Sequence, residues 1–155
     1  MKKLILIPFI SFLLIPGTSC VKDKSCKDKT VASEEGAIQA FAMANGITAT
    51  RHSSGLYYQV VNPGSGPVPA LSSNISVMYI GRYSNGNIFE QTSSPTAFHP
   101  LSGFIPGWQL GLPFLQEGGS IKLIIPSSLA YGCSGYGSIP GNSILYFEIT
   151  LVDVQ

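Results

Sequence analysis

Phe104-Ile105-Pro106-Gly107-Trp108, with Leu129-Ala130-Tyr131-Gly132 about twenty residues downstream, decides how this chain is read. The stretch sets the only tryptophan beside a proline–glycine corner, between apolar neighbours. Pro106 suits the first position of a helix, where its missing N–H has no partner to lose, and a helix is predicted from Pro106 to about Leu112. So short a helix cannot stand alone in water and must pack on a sheet. With one tyrosine in a Gly-rich loop nearby, the result is a dry aromatic pocket with a single polar handle. The same residues contain no nucleophile, no metal cluster and no phosphate loop.

Outward from this stretch, residue 55 onward alternates short apolar runs with Gly, Pro, Asn and Ser clusters, the pattern of strands and turns. Leu56 to Val61 reads as a strand ended by Asn62-Pro63-Gly64. Ile75 to Tyr83 reads as a strand, followed by Asn85-Gly86-Asn87, a hairpin signal, and by a second run, Ile88 to Glu90. Ser120 to Ile125 is stopped by Pro126. Ile144 to Val152 alternates, with Leu145, Phe147, Ile149 and Leu151 on one face and Glu148 and Thr150 on the other. That period of two implies a sheet with one wet face. The predicted fold class is α+β: a small, curved, mostly antiparallel β-sheet wrapped over one short α-helix.

A further short helix precedes the sheet. Ser33 is its predicted start, with Glu34 and Glu35 in the first turn. Ile38, Phe41 and Ala42 recur at helical spacing, and Asn45-Gly46 is the stop. This helix either lies on the domain or pairs with a second copy, docking being the commoner outcome for so short an element.

The N-terminus reads as an address. Lys2 and Lys3 precede an apolar run from Leu4 to Ile15, shorter than the roughly 20 residues of a membrane span, so a cleaved signal peptide over 1–19 is expected. Gly17-Thr18-Ser19-Cys20 is similar to a bacterial lipobox, with Gly17 where leucine is usual. Lipidation of Cys20 would anchor the chain in the cell envelope without spanning the bilayer, the expected site being the outer membrane, facing the periplasm. Residues 20–50 are then a tether and the short helix, and 51–155 the globular domain. From Val21 to Lys29 the tether is charged and almost devoid of apolar residues, too polar to bury a core.

Without Lys2 and Lys3, seven basic residues face eight acidic ones, and no basic stripe lies beyond the tether, which argues against a nucleic-acid partner. Cys26 and Cys133 have no metal-ligand spacing. A disulfide between them would join a flexible tether to a loop, and the reading without that bond is preferred. His52 and His99 stand apart from any cysteine or carboxylate cluster and read as surface residues. No metal and no cofactor is predicted, and oligomeric state is left open.

An ordered series now accumulates: Val77-Met78-Tyr79-Ile80-Gly81, Asn85-Gly86-Asn87-Ile88-Phe89-Glu90, Phe104-Ile105-Pro106-Gly107-Trp108, Gly111-Leu112, Glu117-Gly118-Gly119, Ile125-Pro126, Leu129-Ala130-Tyr131-Gly132 and Ile139 to Phe147. In this order and spacing it resembles the FKBP-type peptidyl-prolyl cis-trans isomerases over residues 72–153. Ser54-Gly55-Leu56-Tyr57-Tyr58 also resembles the segment that precedes this domain in secreted bacterial members. The resemblance implies a half-barrel, FKBP-like fold, isomerase activity and proline-containing polypeptide clients.

It also implies roles. Trp108 would form the pocket floor. Tyr79, Phe89, Phe104, Ile105 and Phe147 would form its walls, and the Ile105 N–H would donate to a substrate carbonyl. Tyr131 would offer its hydroxyl to the carbonyl before proline, with Glu90 beside the wall phenylalanine and Tyr136 and Ile139 on a flap. Plain core packing is the competing explanation for each aromatic. Three positions depart from the family pattern. Glu90 replaces the usual aspartate, Ser138 replaces an apolar flap residue, and Phe98 is the one candidate for a further wall aromatic. Two other functions compete with isomerisation: a binding module or chaperone that holds proline segments without turnover, and a structural envelope lipoprotein.

Overall fold

The computed structural model describes residues 26–155, so the predicted signal segment, the Cys20 lipidation site and the start of the tether lie outside the described residues. Helix α1 (Val31–Ala44) comes first, followed by β1 (Thr50–Arg51), β2 (Tyr57–Asn62), β3 (Asn74–Tyr83), β4 (Ile88–Gln91) and β5 (His99–Pro100). Helix α2 (Pro106–Gly111), β6 (Ser120–Ile125) and β7 (Leu145–Val154) complete the order. The strands form one antiparallel sheet, β1-β2-β6-β7-β3-β4, with β5 also pairing on β3.

The inner face follows from alternation. Leu145, Phe147, Ile149 and Leu151 of β7 are all buried. Register places Ile149 opposite Ile121 and Phe147 opposite Leu123 on one side, and Tyr79 and Gly81 on the other. Against this face lies α2, bringing Trp108 and, just beyond it, Leu112 and Leu115 into the same core. Two glycines one helical turn apart set how close it comes. A Cβ on Gly107 would fall 2.5 Å from Ile125 Cγ2, and one on Gly111 2.7 Å from Leu123 Cδ2. Their lack of side chains lets the helix backbone rest directly on β6.

The other face is not wet throughout. Tyr57, Ile124 and Tyr146 pack under Ile38, Phe41 and Ala42 of α1, with the Phe41 and Tyr146 rings 5.3 Å apart. The N-terminal helix therefore docks on the domain. Its start is Thr30 rather than Ser33: the Thr30 hydroxyl oxygen accepts the Ser33 N–H at 3.3 Å, and the Ser33 hydroxyl donates to the Thr30 carbonyl at 2.7 Å. Asn45 closes the helix, and Gly46 takes the left-handed φ of 63° that follows.

Cys26 and Cys133 are joined by a disulfide, their Cα atoms 5.6 Å apart, which overturns the unbonded reading. The physical reason is that residues 26–29 are held against the loop after β6. Asn142, at φ 58°, accepts the Lys29 N–H at 3.1 Å and donates to the Lys27 carbonyl at 3.3 Å. Asp28 Oδ1 accepts the Cys133 N–H at 2.7 Å. Across a separation of 107 residues, no local pattern could have signalled this. His52 is part-buried, its Nδ1 2.8 Å from the Ser54 hydroxyl, whereas His99 is exposed on β5.

Candidate active site

Three rings from separate segments converge on Trp108. The ring of Phe104 stacks on it at 4.9 Å and 12°. Tyr79 from β3 meets it edge to face at 5.2 Å and 82°, and Phe147 from β7 at 5.2 Å and 88°. Phe89 from β4 continues the wall, perpendicular to Phe147 at 5.5 Å. Edge-to-face pairs add about 0.5–1.5 kcal/mol beyond their burial, so the set is rigid as well as apolar. Gly81 makes room for it: a Cβ there would lie 2.6 Å from Phe89 Cζ and 2.9 Å from Phe147 Cε1. The Trp108 indole N–H is buried without a partner among the described residues. That is a cost of about 1–3 kcal/mol carried for the sake of a flat floor.

Above the floor opens a cleft of about 450 Å³, lined by Tyr79, Glu90, Gly103, Phe104, Ile105, Trp108, Tyr131, Tyr136 and Phe147. Beside it lies a smaller one of about 230 Å³, lined by Phe89, Glu90, Tyr131, Tyr136, Gly137, Ser138 and Ile139. The two share Glu90, Tyr131 and Tyr136. A groove of about 410 Å³ between Met78, Lys122 and Glu148 is separate from these two and includes none of Trp108, Phe104 and Tyr131. The structure thus brings together every predicted pocket residue but one. Phe98 is exposed and lines neither cleft. Pairing of His99 with Ile75 and Pro100 with Asn74 fixes that segment, and the register presents His99, rather than Phe98, to the edge of Phe104.

Local bonds explain why the walls stand where they do. The Ile105 carbonyl accepts the N–H groups of Trp108 and Gln109 at 2.9 and 3.2 Å, starting α2, while its own N–H takes no partner among the described residues. Gln109 Nε2 donates to the Phe104 carbonyl at 2.7 Å and the Ser102 carbonyl at 3.1 Å, tying the preceding loop to the helix. Thr92 does the same for Tyr79, accepting its N–H on Oγ1 at 3.0 Å and donating its own N–H to the Tyr79 carbonyl, also at 3.0 Å. Sequence reasoning missed Gln109, Thr92 and Gly81 as supports. A glutamine one turn after the predicted helix start was the one signal within reach.

The polar side is built on Tyr131 and Glu90. Tyr131 stacks on the exposed Tyr136 at 5.3 Å and 15°. Tyr136 and Ile139 exchange backbone hydrogen bonds of 2.9 and 2.8 Å around the flap turn, and the Tyr83 hydroxyl donates to the Ser138 carbonyl at 3.1 Å. Ile139 is buried in the core, so it anchors the flap from below. Burial pushes the Tyr131 hydroxyl above its ordinary pKa of 10.0, with the Glu90 carboxylate adding to the rise. Burial and the same carboxylate push Tyr79 up further. Both phenols are therefore neutral hydrogen-bond donors at physiological pH. An aromatic floor, rigid walls and neutral donors at one edge can hold an apolar ring dry while receiving a carbonyl. They provide no nucleophile paired with a base.

Comparison with known proteins agrees with this geometry. Residues 66–152 match the family described as FKBP-type peptidyl-prolyl cis-trans isomerase. The chain is 42% identical over 120 residues to the FKBP-type peptidyl-prolyl cis-trans isomerase FkpA of Escherichia coli strain K12, covering 76% of this chain and 43% of that protein. It therefore spans less than half the length of that relative. The crystal structure of FkpA from Escherichia coli superposes with a TM-score of 0.72 at 39% identity, over 80% of this chain and 58% of the other. That of a peptidyl-prolyl cis-trans isomerase from Pseudomonas syringae pv. tomato superposes at 0.68 and 30% identity, over 83% of this chain and 98% of the other. The half-barrel, the short helix beneath it and the ordered aromatic set identify this chain as a member of the FKBP-type peptidyl-prolyl cis-trans isomerase family.

Proposed function

We propose that this domain catalyses cis–trans rotation about X–Pro bonds in polypeptide clients of the cell envelope. The observation that carries the reading is the facing of Trp108 and Tyr131 across one cleft. Rotation is slow because amide resonance must be broken, at a barrier of about 20 kcal/mol. The twisted amide has lost resonance and is less polar than the planar one. A dry aromatic site favours it over the ground state, and this is catalysis by differential binding. The proline ring rests on Trp108 between Tyr79, Phe104 and Phe147. The Ile105 N–H takes one substrate carbonyl and the Tyr131 hydroxyl takes the carbonyl before proline. Glu90 helps to keep Tyr131 and Tyr79 protonated, and Phe89, Tyr136 and Ile139 shape the flap side.

The mature chain is held by lipid at Cys20, in the outer membrane facing the periplasm. The lipobox-like Gly17-Thr18-Ser19-Cys20 supports this, as does the Cys26–Cys133 disulfide, a bond that persists in oxidising compartments. The test of function is a protease-coupled assay of the purified full chain on X–Pro–Phe peptides with several residues before proline. Acceleration over the uncatalysed rate is expected, and no acceleration for any peptide overturns the reading. Ser138 on the flap favours a second reading, a proline-segment holder. It gains if aggregation is suppressed equally by wild type and Tyr131→Phe while turnover is absent.

A further inference from the structure

The loop from Ser127 to Asn142 carries Tyr131, Tyr136 and Ile139, and it is gripped by residues far upstream of the family match, which begins at residue 66. At its start, Glu34 of α1 is buried, and its Oε2 accepts the Ser127 N–H at 2.8 Å. The Ser127 carbonyl in turn accepts the N–H groups of Ala130 and Gly132 at 3.1 and 2.9 Å, so Glu34 anchors the turn on which Tyr131 sits. Two residues past Tyr131, Cys133 is fixed twice, by the disulfide to Cys26 and by its N–H bond to Asp28 Oδ1 at 2.7 Å. A Cβ on Gly132 would come within 2.8 Å of that same oxygen, so the carboxylate lies against the loop backbone. At the far end Asn142 bonds both Lys27 and Lys29 while its own N–H reaches the Gly132 carbonyl at 2.7 Å.

Loops that carry site groups usually come from the least stable part of a fold, and most of Tyr131 to Ser138 is exposed or half-exposed. We propose that Cys26 to Glu34 form a clamp that positions the Tyr131 loop, with Asp28 and the Cys26–Cys133 disulfide as its working contacts. The proposal rests on the isomerase reading above and adds to it residues that touch no substrate. The proline ring is held by Trp108 on α2, whereas the bonds of the clamp described above all end on Ser127, Cys133 and Asn142. Loosening the clamp therefore displaces the tyrosine hydroxyl without emptying the floor. Its cost falls on kcat, and KM stays nearly unchanged.

The experiment compares the full wild-type chain, oxidised and after dithiothreitol, with Asp28→Ala, Asp28→Asn and Cys26→Ser. Dithiothreitol supplies the two electrons and two protons that convert the disulfide to two thiols and itself becomes a cyclic disulfide. Reduction, Cys26→Ser and Asp28→Ala are each expected to lower kcat by roughly two- to tenfold, no more than the loss of the Tyr131 hydrogen bond itself. KM should stay within about twofold, and Asp28→Asn, which keeps an acceptor oxygen, should recover most of the loss. Backbone amides of residues 130–136 should exchange hydrogen about tenfold faster in the impaired forms. Unchanged kcat and unchanged exchange in both Asp28→Ala and the reduced wild type overturn the clamp. A wild type without turnover defeats the isomerase reading by itself. The exchange rates then decide the clamp alone, faster exchange upholding it and unchanged exchange ending it.

Discussion

The indole of Trp108 and the ring of Phe147 meet perpendicular to each other, centroids 5.2 Å apart, and join the short helix to the central strand of the sheet. One contact thus serves both the core and the cleft, since Phe147 is buried and still lines the cavity. Substitution here has two readouts. Phe147→Ala is expected to destabilise the domain by about 3–5 kcal/mol and to abolish measurable turnover. Trp108→Leu should lower kcat/KM at least tenfold, with a stability loss smaller than that of Phe147→Ala. Urea midpoints and peptide isomerisation on the same samples separate the two effects. Equal stability losses would remove the distinction between floor and core.

Tyr131→Phe removes one hydroxyl from the cleft edge and leaves the ring stacked on Tyr136. Loss of one hydrogen bond of about 0.5–1.5 kcal/mol in the transition state predicts a drop in kcat/KM of roughly two- to tenfold, with no change in thermal midpoint. A rate equal to wild type across several X–Pro peptides would show that the hydroxyl takes no part.

Gly81 is predicted to be intolerant of any side chain. Gly81→Ala places a methyl where Phe89 Cζ and Phe147 Cε1 already lie, at 2.6 and 2.9 Å. Overpacking of this kind costs about 1–3 kcal/mol, and the displaced rings deform the wall. The measurement is stability together with affinity for a proline peptide. Unchanged values for both would mean the rings can move aside freely.

The tyrosines set the alkaline limit of the fold. Tyr79 and Tyr131 have folded pKa values raised above 10.0, first by burial and then by Glu90. The unfolded chain therefore loses these protons before the folded one does. The stability they contribute is fully present below pH 10.0 and is lost as pH rises through the folded values. Turnover should be flat between about pH 6 and 9, because Tyr131 remains a donor throughout. The urea midpoint should fall above pH 10, with a shallower slope in Tyr79→Phe. A wild-type midpoint that holds constant to pH 11 would contradict this.

Cys20→Ala tests the anchor. Loss of lipid labelling and release of the chain from the membrane fraction are expected; fractionation identical to wild type would point to plain secretion.

Local pattern determined a good deal of this protein. Alternation in 144–152 foretold the buried face of β7, Asn85-Gly86 the hairpin between β3 and β4, and Pro106 the start of α2, because each is a property of neighbouring residues and of their backbone preferences. The order of Tyr79, Phe89, Trp108 and Tyr131 was enough to indicate the pocket. What only the tertiary structure decided involves partners distant in the chain or a register that propensity does not set. Phe98 falls outside the cleft because β5 pairs through His99 and Pro100, and two residues are too few to carry a periodicity. Glu34, read as a helix-start acid, turns inward to hold Ser127, 93 residues on. Residues 26–29 of the tether, too polar to form a core, are held instead by Asn142, by the bond of Asp28 to the Cys133 N–H and by the disulfide from Cys26 to Cys133. Composition reports what a segment cannot bury, whereas its hydrogen-bond partners are fixed only when the whole chain has folded.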